Sequence, residues 1–320
     1  MTSHIIKTGS NAIIIGSGHY GIFLPIKQNK LVKITNVNTR QDDTKYLDII
    51  SSIPNYTDYY AIPDEISYIL PSSDEFYNHL QLLVKDIDID IFYGNLKCVY
   101  IDDAGNKELL DTINELYYKS NYSFWKSYKV VIEFCTKIMN GLHFLHEKKI
   151  CHLDVKPENI MVNTLNRVCK LIDFGFSSIE PFDDYISNIR GTPGYFPKHF
   201  NKVNVTEWLP KITANDTILV DGVLPMVNNR ILIYKIDSYC FGRVLYFLKY
   251  AYDINYSYCC FNWEKSTGLK LDKIIKSLIE DDVNTRLTIK QCLDKYVNPR
   301  SNKTISNDPR SNKTIMCSMV

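Results

Sequence analysis

The sequence lacks the features that would place it in a membrane, a secretory pathway or on a nucleic acid. No run of about 18 apolar residues occurs, so no membrane-spanning helix is expected. The first residues, MTSHIIKTGS, do not combine a cationic stretch with a long apolar run, so no secretory signal is predicted. A net charge of +1 provides no strongly basic surface. We therefore expect neither a membrane nor a nucleic acid partner.

The nine cysteines lack the spacing that disulfide frameworks and zinc sites need. No Cys-x-x-Cys motif occurs, and the only adjacent pair is Cys259 and Cys260. An odd, unpatterned set predicts free thiols in a reducing, cytoplasmic compartment. The 320 residues are enough for one large domain or two lobes, and a hydrophobic content of 45% is normal for a soluble globular protein.

Two closely spaced motifs concentrate acidic, amide and basic side chains. Residues 152–159 read HLDVKPEN, and residues 173–175 read DFG, 14 residues beyond Asn159. Taken singly, Asp and Asn at such positions are ordinary turn formers. Together, the two motifs resemble the catalytic loop and the metal-binding triplet of protein kinases, and their order along the chain is the same.

The resemblance implies a bilobal α+β fold, with a small β-rich N-lobe and a larger helical C-lobe. It implies transfer of the γ-phosphate of ATP to protein substrates that carry Ser or Thr, since Lys156 two residues after Asp154 is typical of Ser/Thr kinases. Asp154 would accept the hydroxyl proton and Lys156 would stabilise charge on the phosphate. Asn159 and Asp173 would hold Mg²⁺, which prefers oxygen ligands, with Mn²⁺ as an alternative.

A glycine-rich stretch precedes these motifs. An apolar strand at residues 12–15 leads into G-x-G-x-x-G at residues 16–21, and Pro25 argues against the helix that a dinucleotide fold would place next. We therefore predict a strand–loop–strand hairpin whose backbone approaches phosphate oxygens; a plain hairpin turn is the alternative. By resemblance the nucleotide-binding residues here are Ile15, Gly16, Ser17, Gly18, His19, Tyr20, Gly21 and Phe23.

Lys33 lies on a predicted strand among apolar neighbours, where an unpaired cation is costly. The resemblance implies that Lys33 holds ATP phosphates and pairs with a helix Glu; an exposed strand lysine is the alternative. The predicted helix at residues 39–52 contains no Glu, and the first Glu of the chain is Glu65. Asp43 is the candidate substitute, whereas Tyr46, the other position that aligns, could not form the ion pair.

A strand at residues 97–101 and an amphipathic helix from about residue 107 flank a short connection. By resemblance this connection is the hinge between the lobes. Ile101 would line the adenine pocket, and the backbone of Asp102 and Ala104 would contact the base. A simple strand–turn–helix is the alternative.

A long helix at residues 127–149, with apolar residues at three- and four-residue steps, precedes the catalytic loop. Strands at 160–162 and 168–172 should follow the loop. His152 is expected to be structural. Leu153 stands where the family usually has Arg, and it cannot bind a phosphate on the activation segment. We therefore predict activity that does not depend on phosphorylation sensed through this residue.

The C-terminal half keeps some kinase motifs and loses others. Thr192, in GTPGYF, resembles the substrate-docking segment and should bond Asp154 and Lys156, whereas residues 197–199 replace Ala-Pro-Glu. Without that Glu, Arg286 is expected to use another acceptor or to lie on the surface. Asp237 should hold the catalytic-loop backbone, cap a helix, or do both. Helices are predicted at 241–252, 268–280 and 288–296.

The predicted organisation is an N-lobe at 1–103, a C-lobe at 104–298 with an insertion at about 201–233, and a disordered tail at 299–320 that repeats PRSNKTI. The composition and eroded motifs are similar to those of kinases of large DNA viruses. Two other functions remain open. A pseudokinase scaffold or nucleotide-binding module would explain the lost motifs, and a small-molecule kinase of related fold conflicts with the peptide-docking segment.

Overall fold

The computed structural model describes residues 16–18, 21–25, 30–36, 44–71, 95–102, 104–118, 125, 128–182, 191–192, 194–195, 197, 231–256 and 262–299. The predicted strand at 12–15 lies outside these ranges. Most of the predicted insertion and of the repeated tail also lies outside them, so both remain predictions.

The N-terminal part forms an antiparallel five-stranded sheet in the order β1-β2-β3-β5-β4. Strands β3 and β5 confirm the predicted strand that carries Lys33 and the predicted strand at 97–101, and the pairing of β1 with β2 confirms the glycine-rich hairpin. The strands are β1 (Gly16–Gly18), β2 (Gly21–Pro25), β3 (Lys30–Asn36), β4 (Pro63–Pro71) and β5 (Asn95–Asp102).

Helix α1 (Leu47–Ser51) follows a turn at residues 44–46 and is shorter than the predicted helix at 39–52, within the described residues. The segment after it is attached to the C-terminal part. Leu171 N donates to Tyr59 O at 2.8 Å, Ala61 N donates to Leu171 O at 3.1 Å, and the buried Tyr60 hydroxyl donates to Gly141 O at 2.5 Å. Helix α1 is therefore tied to the helical part through the backbone that follows it.

The C-terminal part is built around α3 (Tyr128–Glu147), whose apolar side chains are buried as their spacing predicts. The other helices are α2 (Leu109–Tyr118), α4 (Ile231–Tyr256), α5 (Asn262–Leu278) and α6 (Ile289–Cys292), which a π-helical turn (Leu293–Val297) extends. Among the described helices, none combines the length and apolar character needed to cross a membrane. This α+β arrangement confirms the predicted bilobal fold class.

Two small sheets support the loops between these helices. One has the order β6-β8-β9 and the other pairs β7 with β10. They comprise β6 (Lys107–Glu108), β7 (Ile150–Cys151), β8 (Ile160–Asn163), β9 (Val168–Leu171) and β10 (Ser178–Ile179). Strands β8 and β9 confirm the predicted strand pair. Lys107 and Glu108 form β6, which pairs with β8, so α2 begins at Leu109, two residues after its predicted start.

The largest error in the predicted helices is at α4, which begins at Ile231 rather than near residue 241. Asp237 therefore lies inside the helix, and the prediction that it caps a helix is wrong. Its side chain is fully buried, as are most of its helical neighbours. A charged residue in such a position needs partners from other elements, and these partners define the site below.

Candidate active site

The side chains of the DxKxxN motif form one hydrogen-bonded group. Thr192 Oγ1 donates to Asp154 Oδ1 at 2.6 Å and accepts from Lys156 Nζ at 2.9 Å. Lys156 Nζ also lies 3.3 Å from Asp154 Oδ2. Asn159 Nδ2 donates to Asp154 O and to Asp154 Oδ2, both at 2.9 Å. The predicted bonds of Thr192 are confirmed, and the arrangement holds the Asp154 carboxylate beside a hydroxyl.

Asp237 fixes the backbone that carries this group. Its two carboxylate oxygens accept from His152 N and Leu153 N, each at 2.8 Å, and Oδ2 also accepts from His146 Nε2 at 2.9 Å. Burial alone would raise the pKa of Asp237, but the His146 hydrogen bond and nearby positive charge outweigh burial and lower that pKa. The predicted anchoring role of Asp237 is therefore confirmed.

His146, Cys151 and Asp237 form the one cluster of potential metal ligands in the described ranges. Both oxygens of Asp237 already accept hydrogen bonds from protein donors. Burial, with the nearby Asp237 charge, raises the pKa of the Cys151 thiol well above its ordinary value, which disfavours the thiolate that binds metal. The cluster is therefore a structural anchor.

His152 is structural, as expected, and it positions the DFG motif. Its Nε2 donates to Ile172 O at 3.0 Å, and its Nδ1 accepts from Asp154 N at 3.4 Å. The Phe174 ring packs between His152 and Tyr60, with ring centroids 5.0 Å and 5.8 Å away. Phe174 thus joins the catalytic loop to the segment that follows α1.

Two residues of the site, one in each motif, have a strained backbone conformation. Leu153 and Asp173 adopt left-handed φ angles of 64° and 60°. Residues with a Cβ avoid this region, and such strain persists where surrounding contacts fix it. For Leu153 those contacts are the Asp237 bond to its nitrogen and full burial of its side chain. No part of Leu153 therefore reaches toward a phosphate.

Asn159 and Asp173 have the donor atoms that a divalent cation requires. Both bonds from Asn159 Nδ2 go to Asp154, which leaves the amide oxygen Oδ1 for a ligand. Asp173 Oδ1 accepts from Gly175 N at 3.2 Å, which orients its carboxylate. Oxygen donors of this kind fit Mg²⁺ or Mn²⁺.

The nucleotide-binding candidates divide between described and undescribed residues. Four of them, Gly16, Ser17, Gly18 and Gly21, form the hairpin with Phe23 on β2, whereas Ile15, His19 and Tyr20 lie outside the described residues. Lys33 is on β3, with Phe23 and Val99 opposite it on β2 and β5. Its side chain is only 5% exposed, so the alternative of an exposed strand lysine is wrong.

The hinge candidates flank the end of the sheet. Asp102 ends β5, and the side chain of Ala104 is buried. Asp43, the candidate partner of Lys33, lies outside the described residues. Tyr46 is buried, and its hydroxyl has no hydrogen-bond partner in the described part of the chain.

Arg286 is 1% exposed, so its predicted surface alternative is wrong. Its guanidinium donates to Glu280 O at 2.8 Å and to Asp281 O and Lys235 O at 3.4 Å, and it lies 4.7 Å above the Tyr239 ring. Burial lowers the pKa of Arg286. Backbone carbonyl oxygens therefore replace the carboxylate of the missing Glu as hydrogen-bond acceptors for Arg286.

Sequence reasoning missed two charged side chains beside the site. Arg243, on α4, and Glu158, in the catalytic loop, each have a buried side-chain atom without a hydrogen-bond partner in the described part of the chain. No motif marks Arg243. The signal that could have found it is its spacing of three and four residues from Tyr246 and Phe247, which places all three on one helix face.

A family model, Protein kinase domain, matches residues 89–202. This range contains Asp154, Lys156, Asn159 and Asp173 but neither Lys33 nor the glycine-rich hairpin. Together with the relatives below, the match shows that this stretch is similar to a protein kinase domain.

Several curated protein kinases are similar to this chain. The phosphorylase b kinase gamma catalytic chain, liver/testis isoform, of Rattus norvegicus is 29% identical over 49% of this chain and 37% of its own length. The Aurora kinase of Candida glabrata is 27% identical over 67% of this chain and 57% of its own length. The serine/threonine-protein kinase nekl-2 of Caenorhabditis elegans is 34% identical over 36% of this chain and 32% of its own length.

Each of these matches covers less than two thirds of the relative's own length. The similarity is therefore to a protein kinase domain, and the activity and substrates of the whole protein are proposals. All three relatives are eukaryotic, so the similarity to kinases of large DNA viruses remains a prediction.

Proposed function

We propose that this protein is a serine/threonine kinase that transfers the γ-phosphate of ATP to hydroxyl groups of protein substrates. The observation that carries the proposal is the intact group of Thr192, Asp154, Lys156 and Asn159, held at hydrogen-bond distances. A hydroxyl already lies 2.6 Å from Asp154 Oδ1 in the position where a substrate hydroxyl would need a proton acceptor.

Each side chain has a proposed role in the transfer. The substrate hydroxyl oxygen attacks the γ-phosphorus, its proton passes to Asp154, and the bond to the β-phosphate oxygen breaks to release ADP. Lys156, 3.3 Å from Asp154, stabilises negative charge on the transferring group. Asn159 and Asp173 would hold a divalent cation, which would neutralise phosphate charge.

The N-terminal residues are proposed to bind the nucleotide. The hairpin of β1 and β2 would cover the phosphates, buried Lys33 would contact them, and the backbone at Asp102 and Ala104 would contact the base. This assignment accompanies the proposed division into an N-lobe at 1–103 and a C-lobe at 104–298. We expect protein substrates alone, without nucleic acid or membrane partners.

The test is phosphate transfer from ATP to a generic protein substrate in the presence of Mg²⁺, for the wild type beside Asp154→Ala and Asp173→Ala. Loss of transfer by more than about 100-fold in both variants supports the proposal. Asp253→Ala, in an exposed ion pair on α4, is the matched control and should keep the wild-type rate. Absence of transfer by the wild type would refute the proposal.

A pseudokinase is the second candidate, and the Tyr46 hydroxyl is the observation that favours it. A buried phenol without a hydrogen-bond partner in the described residues lies at a position where the resemblance places the Glu that pairs with Lys33. The pseudokinase predicts no transfer, while ATP still raises the thermal unfolding midpoint.

We further propose that activity does not require phosphorylation of the activation segment. Leu153 is fully buried and apolar, so it cannot bind a phosphate there. Replacing each Ser, Thr and Tyr at positions 177–190 by Ala or Phe should leave a measurable transfer rate. The proposal would be contradicted if the variant had no transfer activity and the wild type were active only when this segment is phosphorylated.

A further inference from the structure

Arg243 lies on the face of α4 that adjoins the transfer site. Its guanidinium is 5.1 Å from the Phe247 ring centroid and 5.8 Å from that of Tyr246. The Phe247 ring in turn contacts Tyr195 edge-on, at 6.0 Å between centroids. Tyr195 N donates to Thr192 O at 3.3 Å. A short series of contacts therefore connects Arg243 with the hydroxyl that is bonded to Asp154.

The two rings pack against the guanidinium, and neither accepts a hydrogen bond from Arg243 Nε. Arg243 Nε is buried and has no acceptor within the described ranges. Other cations in this region are satisfied by oxygen atoms: Arg286 donates to carbonyls, and Lys249 lies within ion-pair distance of Asp253 and Asp272. A partly desolvated guanidinium without an oxygen acceptor is costly, so Arg243 is suited to a ligand that supplies one.

The charges around Tyr195 also place Arg243 close to the site. Burial raises the pKa of the Tyr195 hydroxyl, the negative charge of Glu158 adds to this effect, and the positive charge of Arg243 opposes it. Both charged groups therefore lie near this hydroxyl. We expect a substrate chain that reaches Asp154 to pass near both.

We propose that Arg243 selects substrates that carry an anionic side chain, a carboxylate or a phosphate, near the accepting hydroxyl. The planar fork of a guanidinium binds either group through two parallel hydrogen bonds. The Tyr195 and Phe247 ring centroids are 6.0 Å apart, and the guanidinium of Arg243 lies 5.1 Å from the Phe247 centroid. Together these two distances correspond to about three or four residues of an extended chain. The anionic residue therefore lies within about four residues of the acceptor. The inference rests on the proposed kinase function.

The same helix face continues as an aromatic shelf, which we define as Tyr246, Phe247 and Tyr250. Tyr246 is 45% exposed and Tyr250 is 51% exposed. Tyr250 stacks on Tyr117 of α2 at 6.5 Å between centroids. Exposed rings of this kind provide contact area for a peptide backbone at low entropic cost. The shelf would hold the substrate chain while Arg243 binds its anionic residue.

The test compares peptides that differ only in one side chain. The parent has a single Thr acceptor among neutral residues; one series introduces Glu at each position within four residues of the acceptor, and a second series introduces phosphoserine. Both kcat/KM for transfer and the Kd of fluorescently labelled peptides are measured. The wild type should favour an anionic peptide over the parent at least ten-fold at one position in both measurements.

Arg243→Gln should reduce this ratio to about one, and Arg243→Lys, which keeps the charge but loses the fork, should restore only part of it. Lys129→Gln removes the same charge at a side chain that is 74% exposed on α3, and it should keep the wild-type ratio. Thermal unfolding confirms that each variant is folded. A larger ratio for phosphoserine than for Glu would identify phosphate as the preferred group.

The two measurements separate this inference from the proposed function. Transfer with equal kcat/KM for anionic and neutral peptides overturns the inference, and so does a preference for anionic peptides that persists in Arg243→Gln. Neither result contradicts the proposed kinase function. A preference for basic residues, for which Glu158 would be the partner, overturns the inference too. Binding selectivity without transfer refutes the kinase but supports the Arg243 site. Absence of both transfer and selective binding refutes both.

Discussion

Removal of the Asp237 charge should loosen the catalytic loop more than any comparable change on α4. In Asp237→Ala, the backbone nitrogens of His152 and Leu153 lose acceptors at 2.8 Å and remain buried. Each buried donor without a partner costs about 1–3 kcal/mol, so we expect the free energy of unfolding to fall by about 3–5 kcal/mol. Asp237→Asn keeps one acceptor oxygen, and we expect a loss of about 2–4 kcal/mol.

Urea unfolding followed by fluorescence measures these losses. Asp253→Asn is the matched control, since Asp253 is on the same helix in an ion pair whose carboxylate is 42% exposed, and it should cost less than about 1 kcal/mol. If Asp237→Asn and Asp253→Asn lowered the free energy of unfolding equally, the anchoring argument would be refuted.

The pH dependence gives a second test of the Asp237 anchor. Its folded-state pKa is lowered, so its contribution to stability is fully present above the unfolded pKa of about 3.9 and is lost as pH falls through the folded value. The difference between wild type and Asp237→Asn should therefore be constant from pH 7 to about pH 5 and shrink below that. A difference that grew as pH fell would contradict this reasoning.

Three further predictions concern the packing of the fold. Tyr60→Phe removes the buried hydroxyl that donates to Gly141 O and should lower the free energy of unfolding by about 0.5–1.5 kcal/mol, measured by urea unfolding. Gly242→Ala places a Cβ 2.6 Å from Ile279 Cγ2 and should cost about 1–3 kcal/mol, whereas Gly141→Ala, whose nearest contact is 3.4 Å, should cost less. Burial raises the pKa of Cys169 to about 12, so iodoacetamide should label it only in urea, as peptide mass mapping would detect.

The parts of the site that sequence could predict are short in range. Asp154, Lys156 and Asn159 lie within six consecutive positions, so one loop brings them together. The buried residues of α3 and the strands β8 and β9 follow from periodicities that depend only on near neighbours. The order of these elements is what made the kinase resemblance specific. Local pattern therefore predicted which side chains lie together and which elements carry them.

The start of α4 could not be predicted, because long-range contacts decide it. Lys235 and Asp237 interrupt the apolar pattern, and the predicted helix begins only at residue 241. In the structure, Lys235 Nζ donates to Val283 O at 2.7 Å, and Asp237 accepts bonds from residues 84 and 85 positions away. These partners satisfy both charges inside the helix. Such pairing exists only after the chain has folded, so periodicity cannot reveal it.

Arg243 and Arg286 carry the same charge but differ in their hydrogen-bond acceptors. Both are arginines at least partly buried beside aromatic rings of α4, and the sequence suggested a role only for Arg286. The structure reverses that emphasis. Arg286 donates to three carbonyls and is committed to holding the loop at residues 280–286, whereas Arg243 Nε meets no oxygen in the described part of the chain. The distribution of acceptor oxygens, rather than the number of positive charges, therefore decides which arginine is available to a substrate.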